Sequence, residues 1–133
     1  MVSVKDIRDT LATRGWCSAN KLYCYKMPEG DNLIGIYNYN GGDKTPLPMG
    51  GVDNRGYYAK HISILVHWSK SATETELKAM SVYNDLQSLR NVNVGSDRLI
   101  YVDMIQDEPV DVNTADDGTF EYVIDCKMYF EKK

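Results

Sequence analysis

Residues 57–68, YYAKHISILVHW, lead into residues 71–89, SATETELKAMSVYNDLQSL, and the change of period between the two stretches decides the fold. In the first, Tyr58, Ile62, Ile64, Val66 and Trp68 share one side, interrupted only by Lys60. Tyr57, Ala59, His61, Ser63, Leu65 and His67 share the other. Alternating Cβ directions make this a strand, and apolar side chains on both sides suit a central one. In the second stretch Ala79, Val82, Tyr83, Leu86 and Leu89 form one helical stripe. Ser71 with Glu74, or Thr73 with Glu76, caps its start. At roughly 100° per residue, Leu77 falls nearly opposite the stripe and Met80 at its edge. A helix satisfied by its own stripe leaves these two side chains for contact with another subunit.

Working outward, Ser3 and Asp6 offer an N-cap and a first-turn acid, and Val4, Ile7 and Leu11 share a helical face that Gly15 ends. The spacing predicts a helix over residues 3–14. Residues 21–26 and 33–39 read as strands, and Pro28, Gly30, Asp31 and Asn32 between them predict a hairpin. Residues 40–56 hold glycines, prolines, Asp53 and Asn54 with little that can pack, which predicts a long flexible loop with a functional role. Downstream, residues 98–106 alternate as a strand, with Leu99, Tyr101 and Ile105 against Ile100, Val102 and Met104. Asp111, Asn113, Asp116, Asp117 and Gly118 follow as an acidic turn. Residues 120–130 place Phe120, Tyr122, Ile124, Cys126, Met128 and Phe130 on one face of an antiparallel strand with one wet face. The order predicts a single α+β domain over residues 1–133, a mixed or mainly antiparallel sheet packed against two helices.

Composition narrows the chemistry. Fifteen basic against nineteen acidic residues give a net charge of −4, so no surplus of Lys and Arg is available to displace counterions from nucleic-acid phosphates. Sequence-specific nucleic-acid binding is not expected. The apolar runs fall far short of the roughly 18 residues that cross a bilayer, and no membrane role or secretory leader is expected. Cys17, Cys24 and Cys126 are odd in number and contain no CxxC pair, which predicts reduced thiols in a chain made in a cytoplasm.

Catalytic and metal motifs do not assemble. His61 and His67 lie six residues apart, about 20 Å along a strand, too far for one metal or one proton relay. No nucleophile motif surrounds Cys17 or Cys24. The 111–117 run lacks the glycine and glutamate of a calcium loop, and the paired glycines lack the Lys-Ser/Thr of a phosphate loop. No enzyme, metal or cofactor is expected. Ten tyrosines and two tryptophans beside two phenylalanines point instead to assembly, because Tyr and Trp serve surfaces that are apolar in body and wet at the rim.

The sequence from Gly56 to Trp68, the capped helix 73–89, the strand 99–106, the Pro109 turn and the closing 117–130 stretch DGTFEYVIDCKMYF together resemble the minor capsid and tail-terminator proteins of long-tailed bacteriophages. The N-terminal helix fits the same pattern, so the resemblance covers most of the chain. It implies a non-enzymatic virion protein of the neck and tail, assembled in the host cytoplasm. The implied role is a ring, of six subunits in most such proteins, that caps the tail tube, stops its polymerisation and presents a head-joining surface. The implied partners are further copies of the chain, the tail tube protein and a head-completion protein. Leu77, Met80, Tyr57 and Tyr58 are then the candidate subunit contacts, with Asp53, Asn54, Asp111, Asp116 and Asp117 on segments that order against tube or head. Carboxylates along a channel would suit DNA passage, since they offer phosphates nothing to bind. The alternatives are a head-completion or adaptor protein and, in a different class, a small ligand-binding α+β domain.

Overall fold

A computed structural model describes residues 1–39, 56–112 and 114–132. In chain order the elements are α1 (Val4–Leu11), β1 (Leu22–Cys24), β2 (Leu33–Asn38), β3 (Tyr57–His67), α2 (Ala72–Gln87), β4 (Arg90–Val94), β5 (Asp97–Met104), β6 (Val110–Val112) and β7 (Glu121–Glu131). The 57–68 alternation becomes β3, paired antiparallel with β7 along eleven residues from Tyr57↔Glu131 to His67↔Glu121. Around this central pair the sheet runs β1-β2-β3-β7-β5-β4, and β6 shares with β5 the far side of β7. Among the described strands only β1 and β2 are parallel, so the fold is α+β, with a mixed sheet and, among the described residues, two α-helices.

One sheet face and both helices bury a common core. Ile36, Ile64 and Ile124 form a cross-strand row, each at 0% exposure, while Tyr58 pairs with Phe130 and Phe130 with Leu99. Val4, Ile7 and Leu11 of α1 and Ala79, Val82 and Leu86 of α2 join the same cluster. The capping chemistry is as the sequence predicts. Ser3 accepts from the Asp6 amide while the Asp6 carboxylate accepts from the Ser3 amide, and Ser71 accepts from the Glu74 amide at the start of α2. Gly15, at φ 78°, ends the 3-10 turn that follows α1.

Several expectations fail for identifiable reasons. The 21–39 hairpin does not form: β1 pairs parallel with β2, Leu22 against Ile34. Arg8 donates from Nε to the Leu22 carbonyl at 2.8 Å and from Nη2 to the Ala19 carbonyl, so α1 holds this segment. Tyr25 at φ 72° then turns the chain away, and Asn32 at φ 57° returns it, its amide donating to the Trp68 carbonyl. The alternation of residues 98–106 is also broken. A bulge between Leu99 and Tyr101 puts Leu99 and Val102 in the core together and leaves Tyr101 39% exposed. Bulges insert one extra residue and so reverse parity. Two strands, β4 and β6, were not expected at all, and Asp111 lies in β6 rather than in the acidic turn. The 40–56 loop, with Asp53 and Asn54, falls outside the described residues except for Gly56.

The segment after α1 is fastened to α2 by charge. Arg14 makes a two-pronged contact with the Asp85 carboxylate, at 3.0 and 2.6 Å, and the Trp16 indole donates to the same group at 2.6 Å. The Arg14 guanidinium, and then the Trp16 donor, hold the Asp85 carboxyl below the usual carboxylate range against the opposing effect of burial. A depressed folded-state pKa contributes stability above the unfolded value, and that contribution is lost as pH falls through the folded one. Asp85→Asn is therefore expected to cost about 1 kcal/mol at neutral pH, a value reduced for the partial exposure of the pair. Melting curves should show the gap to the parent closing below about pH 4; a gap independent of pH would remove the charge from this account.

Candidate functional site

Two exposed surfaces emerge from this arrangement. The first is a cleft of about 620 Å³ between α2 and the segment that follows β5, running onto β6 and β7. Its walls are Met80, Tyr83, Pro109, Val110 and Tyr122, and its charges are Glu76, Asp107, Glu108 and Asp111, with no Lys or Arg among the lining residues. α2 places Glu76, Met80 and Tyr83 there because residues three and four apart share a helix face. Tyr83 donates its hydroxyl to the Gln106 carbonyl, and Tyr122 donates to Glu76 at 3.1 Å, so both rings are fixed as walls. Burial, reinforced by Asp107, pushes the Tyr83 hydroxyl pKa up; burial, then the Glu76 contact, does the same to Tyr122. Met80 and Val110 at its rim are 45% and 41% exposed, and Leu77, one step round the helix, is 61% exposed.

The second surface is the sheet face turned away from the core. Among the described elements no helix packs on it. Tyr101 and Tyr129 stack at 4.7 Å between centroids, Tyr57 tilts against Tyr129 at 6.3 Å, and the Lys127 ammonium sits over the Tyr129 ring. The bulge in β5 brings Tyr101 opposite Tyr129. The tyrosine richness of the sequence is thus spent partly on a wet aromatic ladder.

The residues singled out in the sequence are distributed over these surfaces unevenly. Met80 and Asp111 meet in the cleft, and Leu77 lies on the exposed side of α2. Tyr57 is exposed but sits at the opposite end of β3, about 30 Å from the cleft by strand length. Tyr58 is corrected from a surface residue to a core one. It is 2% exposed, with its hydroxyl donating to Asp97 and accepting from the Val2 amide at 2.9 Å. Its place beside Ile62 and Ile64 in the alternation is the reason. Asp116 is exposed on the turn before β7, while Asp117 accepts from the Thr119 amide at 2.9 Å and lies 3.7 Å from His67 Nε2. That amide bond, first among its causes, lowers the Asp117 pKa. His67, only 8% exposed, also meets Glu121 at 2.9 Å through Nδ1. Tyr83, Glu76, Asp107, Glu108 and Tyr122 were missed as cleft residues; the Asp107-Glu108 pair before Pro109 was the available signal. Among the described residues no group of side chains has the makings of a metal site.

The described part of this α+β chain thus offers an apolar, acidic cleft and an aromatic sheet face to solvent. Residues 5–132 match the family described as bacteriophage tail terminator protein, and the chain belongs to that family. It is accordingly a tail-related structural protein of a phage and a virion component. No curated protein and no solved structure matches it. No helix among the described residues is long and apolar enough to cross a membrane.

Proposed function

We propose that this chain closes into a homo-oligomeric ring, of about six subunits, that caps the tail tube, stops its polymerisation and forms the surface to which the head attaches. The observation that carries the reading beyond family membership is the exposure of Met80 and Val110 at one cleft, with Leu77 exposed on the same helix as Met80. Large apolar side chains gathered at one place on a surface mark a contact site rather than scattered exposure. Head-to-tail contacts, in which one surface patch meets a different one on the next copy, generate rings when the rotation closes. The tail tube protein and a head-completion protein are the other partners. The acidic turn at Asp116 and Asp117 is offered to them, as are Asp53 and Asn54.

The test is electron microscopy of lysates from a phage lacking this gene. Tails of abnormal length without heads are expected, because tube growth has lost its stop. Tails of normal length that fail to join heads would overturn the terminator role and make the protein a head-completion component.

A further inference from the structure

The cleft gathers negative charge without local compensation. Its carboxylates come from three places: Glu76 on α2, Asp107 and Glu108 in the connection after β5, and Asp111 on β6. Among the described residues none of them enters an ion pair. After burial, the groups that raise the Tyr122 hydroxyl pKa are Glu76, Asp111 and Glu108, and for Tyr83 the group is Asp107. Both hydroxyls are engaged, by Glu76 and by the Gln106 carbonyl, so the tyrosines offer an occupant their rings. Met80, Pro109 and Val110 complete the apolar lining. A neutral apolar segment placed there would bury carboxylates unpaired, at a large cost, and a bare cation would leave the apolar walls wet. A Lys or Arg side chain satisfies both, with its stem along the apolar wall and its charge at the carboxylates. A guanidinium adds stacking on the tyrosine rings.

Resting on the assembly reading above, we infer that the cleft receives a basic segment of a different protein, one that sets arginine or lysine side chains beside apolar ones. The cleft then serves attachment to an outside partner rather than the contact between subunits of the ring. Charge identifies the occupant as foreign. Three exposed apolar sites of this chain carry a cation, and each carries acids as well. Lys78 beside Leu77 has Glu74 four residues back, and Lys26 beside Tyr25 has Glu29 and Asp31 in the same connection. Lys127, over Tyr129 in the tyrosine ladder, stands opposite Asp103 of β5, and Arg98 is paired with Glu131. Any of these surfaces would bring carboxylates towards carboxylates, which costs affinity.

The experiment uses the full chain as the parent and as a cleft-reversed variant, Glu108→Lys with Asp111→Lys, with folding checked by circular dichroism. The probe is a fluorescein-labelled peptide of alternating arginine, leucine and alanine, followed by fluorescence anisotropy. The parent is expected to bind it, and the variant about a hundredfold more weakly, because like charges now face each other. Replacing the leucines of the peptide by glycine should weaken binding about tenfold through lost apolar contact. No binding to the parent, or equal binding to a folded variant, would overturn the inference. The occupant itself is read in phage particles carrying a photo-crosslinking benzoylphenylalanine in place of Asn84, on the cleft wall. The expected product joins this chain to an arginine- or lysine-bearing segment of another virion protein; a product with a second copy of this chain, or none, would overturn the assignment. Sedimentation velocity separates this result from the ring. A variant that loses self-association would place the cleft in the subunit contact and overturn the inference while the ring stands. A parent that stays monomeric yet binds the peptide, and cross-links to another virion protein, would overturn the ring while this docking site stands.

Discussion

Ile64→Ala is expected to lower the thermal midpoint by roughly 10–20 °C, the largest effect of any single substitution considered. Ile64 sits in the middle of β3 at 0% exposure, with Ile36 of β2 on one side and Ile124 of β7 on the other. Truncating a buried isoleucine removes its transfer free energy and leaves a cavity, about 2–5 kcal/mol together, and the central position argues for the upper half of that range. Paired strands on both edges prevent the backbone from closing the gap. Each kcal/mol moves the midpoint of a domain of this size by roughly 3–5 °C. Calorimetry on the parent and the variant measures the shift. A drop of only a few degrees would mean that the sheet relaxes around the site, contrary to a rigid central pair.

Tyr58→Phe is expected to cost about 2 kcal/mol, in spite of keeping the ring. The ring stacks on Phe130 at 5.4 Å in either form, so the substitution isolates the hydroxyl. That hydroxyl joins two buried groups: it donates to Asp97, itself 5% exposed, and accepts from the Val2 amide. Burial, and then the Asp97 contact, push its pKa well above the usual tyrosine range, so it stays protonated and a donor at any working pH. Leaving a buried carboxylate oxygen and a buried amide short of a partner costs about 1–3 kcal/mol; Asp97 retains other interactions, including the N-terminal ammonium at 3.8 Å, which moderates the loss. The distinguishing signature is local. Hydrogen exchange at the amides of residues 2–4 should accelerate more than at the β3–β7 pair. An unchanged midpoint with unchanged exchange would show that the hydroxyl does not anchor the N-terminus.

The parts of the fold that could be read in the sequence are those where one period runs uninterrupted. β3, β7 and α2 each bury one regular stripe, and Ser3 and Ser71 cap their helices as their spacing predicts. The missed elements are short or lie at an edge of the sheet. β4 alternates Val92 and Val94 with Asn91 and Asn93, but two valines between the end of α2 and the Gly95 turn make too short a pattern to stand out, and β6 has three residues of which two are exposed. The bulge at Ile100 is a backbone event with no residue signature of its own, yet it decides which of Tyr101 and Val102 is buried. The cleft was half legible. Met80 and Asp111 stood out singly, but their meeting depends on how Asp107–Asp111 passes α2 beside Tyr122, a relation between distant segments. The resemblance to tail terminators rested on the order of elements across most of the chain, and the family match spans that same extent.

The borders of the sheet have a consequence for how another chain can meet this one. Among the described strands, the terminal one on one side is β1, three residues long and followed at once by the left-handed Tyr25. On the other they are the three-residue β6 and β4, where Asn91 takes a left-handed backbone at φ 55° opposite the bulged part of β5. Short, irregular edges of this kind give an incoming strand few backbone groups in register. Main-chain zippering with another chain, which is indifferent to sequence and can repeat without end, is thereby disfavoured. Recognition is left to side chains, so it is selective for the partner, sensitive to salt and open to reversal.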